Sequence, residues 1–207
     1  MNSESSHEFQ EYRGDGINSD KTRMTNPSGD WKVFYFWQQF VEHQENIEKC
    51  PKTYEILKRL KNQGLLLAGM VCFSSLMPGT HIVAHTGPSN MRLTCHLGLI
   101  GCEGNEVIVG GVKSEYVDGK CTIFDDSYVH EVVSFFFLNF WIFSGINYLL
   151  KKVTHRGNHR RVSLMLDFWH PDLNQTEIDA FSTVMANSSS FMHPDEFFHS
   201  LKLNSIF

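Results

Sequence analysis

The 207-residue chain lacks a net positive charge: its formal net charge is −5, which leaves no basic field for a polyanion and argues against nucleic-acid binding. It also lacks any C-x-x-C pair, and its five cysteines are odd in number. Neither a zinc ribbon, a dithiol redox motif nor a closed disulfide framework is expected. Cys72, Cys95 and Cys121 sit in apolar strand-like runs and read as small core residues. Residues 1–28 contain no apolar run, so they hold no signal peptide or anchor and are expected to be a disordered tail. What the chain does have is apolar mass, 42% hydrophobic and 13% aromatic, enough for one core in one domain over residues 29–186, followed by a tail over 187–207.

Turn signals divide that domain into short apolar runs. Residues 31–40 (W-K-V-F-Y-F-W-Q-Q-F) alternate enough to predict a first strand with aromatics turned to the core. Residues 50–62 place Tyr54, Ile56, Leu57 and Leu60 near helical spacing, with Pro51 in the first turn and Gly64 just beyond the end, so an amphipathic helix is expected. Between Leu65 and Leu99, Pro78-Gly79 and Gly87-Pro88 separate three strand-like runs, a rhythm that suggests a sandwich or jelly roll. Residues 106–112 and 121–124 read as two strands joined around Asp118-Gly119-Lys120. Asn174-x-x-Glu177 is a capping-box pattern that starts a short helix through about Met185. The expected fold class is mainly β, a double-stranded β-helix with flanking helices.

Two histidines in strand-like runs, His85 and His130, are the candidate metal ligands, because a β scaffold brings distant imidazoles together. Taken alone, such residues are more often ordinary core or surface histidines. On a regular strand His81 would share the face of His85. Asp125-Asp126 suggests metal or acid–base chemistry, or simple Asx turns. Arg161 opens the run R-V-S-L-M-L-D-F; a solvated strand-end charge is the plain alternative to a carboxylate clamp, a task that suits planar guanidinium.

The words around these residues are P-G-T-H-I-V-A-H-T-G-P-S-N from Pro78, R-L-T-C-H-L-G-L from Arg92, F-D-D-S-Y-V-H-E-V from Phe124 and D-F-W-H-P-D-L from Asp167. In that order they resemble the aspartyl/asparaginyl β-hydroxylase family of iron(II)- and 2-oxoglutarate-dependent dioxygenases, with W-Q-Q at Trp37 and C-P-K-T at Cys50 adding to the likeness. The resemblance implies a cupin-like jelly roll that hydroxylates aspartyl or asparaginyl side chains of protein substrates, epidermal-growth-factor-like domains among them, with O2 as the second co-substrate. It implies metal ligation by His85 and His130, with no carboxylate at the position of Gly87. It puts His96 beside the oxo-acid end of 2-oxoglutarate, and Arg161 on the distal carboxylate with Ser74 as hydroxyl partner. Trp31 would line the same pocket, and Asp126 would lie near the metal without ligating it. Arg160 is the rival to Arg161 if the register slips by one. Thr94 stands where relatives carry an arginine, with Arg92 as a possible substitute. His170 is expected to be a structural hydrogen-bonder. An endoplasmic-reticulum or membrane location is implied by the family alone. A catalytically impaired binding or scaffold protein, possibly membrane-associated, is the alternative function.

The uncharged run over 132–150, followed by Lys151-Lys152, meets the length criterion for a membrane span. A span there would separate His130 from Arg161, which the resemblance needs in one pocket. Relatives have a short connection at this place. A translated intron over 133–152 is therefore one expectation, and a real apolar flap is the other.

Overall fold

The structure, a computed structural model, describes residues 9–12, 24–134 and 159–188. Among these, the chain order is β1 (Gln10–Glu11), β2 (Trp31–Gln38), β3 (Val41–Glu42), α1 (Gln44–Lys49), α2 (Pro51–Asn62), β4 (Leu66–Leu76), β5 (His81–His85), β6 (Arg92–Ile100), β7 (Asn105–Val109), β8 (Val112–Glu115), β9 (Cys121–Phe124), β10 (His130–Ser134), β11 (Arg161–Trp169) and α3 (Gln175–Ser188). Strands β1-β2-β4-β11-β6-β9 form the larger sheet, with β3 beside β2, and β5-β10-β7-β8 form the smaller one. From β4 onward the chain passes back and forth between the two sheets, and the strand pairs are antiparallel. That winding is a double-stranded β-helix, the expected jelly roll.

Two apolar layers hold it. Val33, Tyr35, Cys72, Leu76, Ile82, Val107, Val132 and Met165 are buried together between the sheets. Phe34, Phe36, Trp37, Ile47, Leu57, Val71, Cys95 and Leu166 fill the outer face of the larger sheet. Helix α2 lies on that outer layer through Leu57, whose burial contributes about 2 kcal/mol. Strand β2 is therefore buried on both faces, which explains its weak alternation. Pro51 occupies the first turn of α2 as expected. The capping box is also formed: the Glu177 N–H donates to Asn174 Oδ1 at 3.1 Å and the Asn174 N–H to Glu177 Oε2 at 2.8 Å.

Three expectations need correction. The tail over 1–28 is not uniformly disordered, since Gln10–Glu11 pair with β2, the Tyr12 ring stacks 3.8 Å from that of Trp31, and Thr25 bridges Ile82. Aromatic burial by Phe9 and Tyr12 offsets the polar composition there. The strands at 106–112 and 121–124 are not partners: β7 turns through Gly110-Gly111, both at positive φ, into β8, whereas β9 joins the other sheet. Third, β5 carries a bulge, because His130 faces His85 while Val132 faces Ile82. The extra residue breaks the period of two, so His81 turns away and its Nε2 meets Glu131 Oε2 at 2.6 Å.

Of the 132–152 run, Val132, Val133 and Ser134 complete β10; the rest, like residues 189–207 of the expected tail, lies outside the described residues. Among the described residues no helix is long and apolar enough to cross a membrane.

Candidate metal centre

His85 and His130 are direct cross-strand partners on β5 and β10, and their ring centroids are 4.2 Å apart. Each ring is fixed in the same way. Nδ1–H of His85 donates to the Val83 carbonyl at 2.8 Å, and that of His130 to the Tyr128 carbonyl at 3.0 Å. A carbonyl only accepts, so both rings carry their proton on Nδ1 and keep the Nε2 lone pair for a cation. Burial first, then the neighbouring His85, hold His130 below its ordinary value, which favours the neutral ligating form. Among the described residues no third His, Cys, Asp or Glu joins them as a ligand cluster.

The same cavity, about 510 Å³ including its mouth, is lined by Trp31, Ser74, His96, Arg161, Asp126, Thr94 and Arg92 as well. Arg161 is 2% exposed, and its guanidinium stacks 3.8 Å over the Tyr116 ring. Nη2 donates to Ser163 Oγ at 3.0 Å, Nε has no hydrogen-bond partner, and among the described residues no carboxylate pairs with it. A buried guanidinium without a counter-ion is a ready receptor for an anion. Arg160, by contrast, donates to Ser75 Oγ at 3.0 Å, lies 3.9 Å from Asp30 and is not among the residues lining the cavity. Ser74 accepts from the Trp31 indole N–H at 3.0 Å; the hydroxyl bonded to Arg161 is that of Ser163.

His96 Nδ1 and the Tyr116 hydroxyl are 2.7 Å apart, while Nε2 is buried with no partner. Burial, then the charge of Arg161, hold His96 well below its ordinary range. The two residues with orphaned nitrogens, His96 and Arg161, thus line one cavity beside the histidine pair. A metal-chelating oxo diacid fits this donor set: a cation at one end and hydrogen-bond donors or acceptors along its length.

Asp125 and Asp126 divide their tasks. Asp125 Oδ1 accepts the Ser127 N–H at 2.9 Å and makes the turn. Asp126 accepts from Arg92 Nη2 at 2.6 Å and Nε at 3.2 Å, and Arg92 Nη1 donates to Asp167 Oδ2 at 2.7 Å. Its carboxylate also occupies the space a side chain at Gly87 would need, and the Gly87 N–H donates to the Asp126 carbonyl at 2.6 Å. Arg92 is thus ion-paired with two acids. His170 lies outside the cavity, its Nδ1 accepting the Asp172 N–H at 3.3 Å. Tyr116, Ser163 and Asp167 escaped the sequence reading. Arg92 entered that reading only as a possible substitute at Thr94, not as the partner of two acids.

The family model described as aspartyl/asparaginyl beta-hydroxylase matches residues 3–136. The chain belongs to the aspartyl/asparaginyl β-hydroxylase family. It is 36% identical over 166 residues to aspartate beta-hydroxylase domain-containing protein 2 of Homo sapiens, covering 78% of this chain and 39% of that protein. With the aspartyl/asparaginyl beta-hydroxylase of Homo sapiens it shares 33% over 146 residues, covering 70% and 16%. The chain therefore spans well under half the length of these curated relatives. A Pseudomonas putida prolyl-4-hydroxylase superposes with a TM-score of 0.39 at 16% identity, over 70% of this chain and 77% of that one. As a β-hydroxylase-family domain, the chain presents the histidine pair on the smaller sheet and the buried arginine on the larger, facing each other across one cavity.

Proposed function

We propose that the chain is an iron(II)- and 2-oxoglutarate-dependent dioxygenase that hydroxylates an aspartyl or asparaginyl side chain of a protein substrate. The observation that carries this reading is the shared cavity: paired imidazoles with free Nε2 lone pairs at one side and, at the other, a buried guanidinium with no carboxylate partner among the described residues. Iron(II), with 2-oxoglutarate and O2 as co-substrates, would supply oxidative decarboxylation to succinate and CO2, with one oxygen atom delivered to a C–H bond.

His85 and His130 hold the cation, each ring locked by its carbonyl acceptor. Arg161 takes the distal carboxylate of the co-substrate, supported by Ser163 and close to the Trp31–Ser74 pair. His96 meets the oxo-acid end through Nε2. Phe124, Ile82, Val132 and Met165 give the cavity apolar walls that limit water. Asp126 stays beside the centre, tied to Arg92. Thr94 favours a second reading, a scaffold that has lost turnover, because a cation of the family pocket is gone.

Succinate formation from 2-oxoglutarate by the full chain with added iron(II) is the test. It is expected in the wild type and absent from His85→Ala and His130→Ala, both checked for native circular dichroism. Folded wild-type protein that binds 2-oxoglutarate with Mn(II) but forms no succinate, with any peptide offered, establishes the scaffold instead. Failure to bind either ligand overturns both readings of the cavity.

A further inference from the structure

The outer face of the larger sheet carries chemistry that the cavity does not use. Of the three cysteines expected in the core, Cys72 and Cys95 are buried, but Cys121 is exposed. We infer that Cys95 and Cys121 form an oxidation site, at which a peroxide converts the two thiols to a disulfide that ties β6 to β9. Neither the metal nor the co-substrate enters into it.

Strand register brings the two thiols together. Cys95 is the direct partner of Ile123, and Cys121 is that of Leu97. Residues two apart on a strand share a face, so these four side chains make one patch with the cysteines at opposite corners. Cys95 is 2% exposed and Ile123 is 58% exposed, so the patch runs from the outer apolar layer to solvent. Across its diagonal the Cys95 and Cys121 thiols are hydrogen-bonded. Strand β9 is four residues long and, among the described strands, pairs only with β6. A short strand held on one side yields to a pull across the patch.

Exposure divides the work between them. Burial first, then the hydrogen bond to Cys121, push the Cys95 thiol up to about 12, so it stays protonated and sheltered from a soluble oxidant. Cys121 meets the peroxide, hydrogen peroxide in the simplest case. Its S–O bond forms as the O–O bond breaks, and the leaving oxygen takes the thiol proton, which gives a sulfenic acid and water. The Cys95 sulfur then attacks that of Cys121. The S–S bond forms, the S–O bond breaks, and the departing hydroxide leaves as water with the Cys95 proton. Two thiols and one hydrogen peroxide thus give one disulfide and two waters. Contact supplies in effective concentration what a protonated Cys95 lacks in nucleophilicity.

Closing that bond reaches the other face of the sheet. Diagonal neighbours stand farther apart than direct partners, and a disulfide requires Cβ atoms about 4 Å apart, so β9 is drawn along the diagonal toward Cys95. Thr122 and Phe124 alternate with Cys121 and Ile123 on that strand. Phe124 lines the cavity, its ring 5.2 Å from that of His96 and 5.3 Å from that of His130. Oxidation on the outside therefore shifts an aromatic wall on the inside.

The experiment treats the full chain, reduced and freed of metal by a chelator, with a few equivalents of hydrogen peroxide, then denatures and alkylates it. Peptide mapping is expected to find one cross-link, Cys95 to Cys121 within a single chain. Cys121→Ser, a change at an exposed position that should leave the thermal midpoint where it was, is expected to abolish it. Cys95→Ala should halt the sequence one step earlier, with Cys121 trapped as the sulfenic acid by a dimedone probe; if that variant does not fold, Cys121→Ser decides. On the cavity side, the imidazole proton resonances of His96 and His130 should shift on oxidation and return on reduction with a phosphine. They should stay in place in peroxide-treated Cys121→Ser. Cys121 driven to sulfinic acid while Cys95 remains alkylatable, a cross-link to another cysteine or between chains, or no oxidation at all overturns the inference. A Cys95–Cys121 disulfide that leaves both imidazoles unshifted overturns its reach into the cavity.

Discussion

A side chain at position 87 would have to share space with the Asp126 carboxylate, since a Cβ built there falls among its atoms. Gly87 thereby keeps Asp126 seated on Arg92, inside a buried trio whose other acid, Asp167, also accepts the Met70 N–H at 2.9 Å. Gly87→Ala should dislodge that carboxylate and cost about 3 kcal/mol, the scale of breaking a buried ion pair, read as a lower urea midpoint. Gly87→Asp should do the same rather than improve metal retention, although many two-histidine iron sites carry a carboxylate at that spacing. Buried imidazoles give the second residue-scale prediction. His96 and His130 are both held below their ordinary value of 6.5, chiefly by burial. The unfolded chain therefore binds more protons than the folded one as pH falls below 6.5, and stability drops in that direction. Urea midpoints of chelator-treated protein should be level above about pH 7.5 and decline through pH 6.5 toward the lower folded values, with a shallower decline in His96→Gln.

At the scale of elements, the turn between β2 and β3 holds two non-glycine residues at positive φ, Gln39 at 49° and Phe40 at 67°, closed by the pair Gln38 and Val41. Both angles suit the tight hairpin, but each is unfavourable for an L-residue with a Cβ. Phe40 is committed to Phe181, with ring centroids 6.3 Å apart, so the separable strain is at residue 39. Gln39→Gly should raise stability by about 1 kcal/mol, seen as a higher thermal midpoint with unchanged Mn(II) binding. Elements whose rules are local were legible in the sequence: Pro51 and the apolar spacing of α2, the Asn174–Glu177 box, the aromatics of β2. The bulge in β5 was not, because it is set by pairing with β10, nor was the separation of β7 from β9. Within the site, His85, His130 and Arg161 were legible through ordered motifs. The Arg92–Asp126–Asp167 trio and the Tyr116–Arg161 stack join residues distant in sequence, on strands whose neighbours only the topology decides.

The whole molecule places its chemistry between two sheets, and the smaller of them depends on β10, the strand that enters the long apolar run. Val133 lies opposite His81 and Glu106, Ser134 lies opposite Asn105, and the Ser134 N–H donates to the Thr80 carbonyl at 2.8 Å. Excision of 133–152 would join Val132 to Val153-Thr154, putting valine where valine was and threonine in place of serine. The ladder bonds are made by backbone groups, and both replacements favour a strand, so β10 should re-form in the same register. Ser134 is buried, and the added methyl of threonine should cost about 1 kcal/mol. The shortened chain is thus expected to melt cooperatively and to bind Mn(II) as the full chain does. Its yield as monomer should be higher, because a run dense in Phe and Leu no longer offers a surface for association. Size exclusion, thermal melting and metal titration on the two chains side by side check this. A shortened chain that has lost its metal site would show that the apolar run belongs to the working fold, and would turn the intron reading into that of a flap over the cavity.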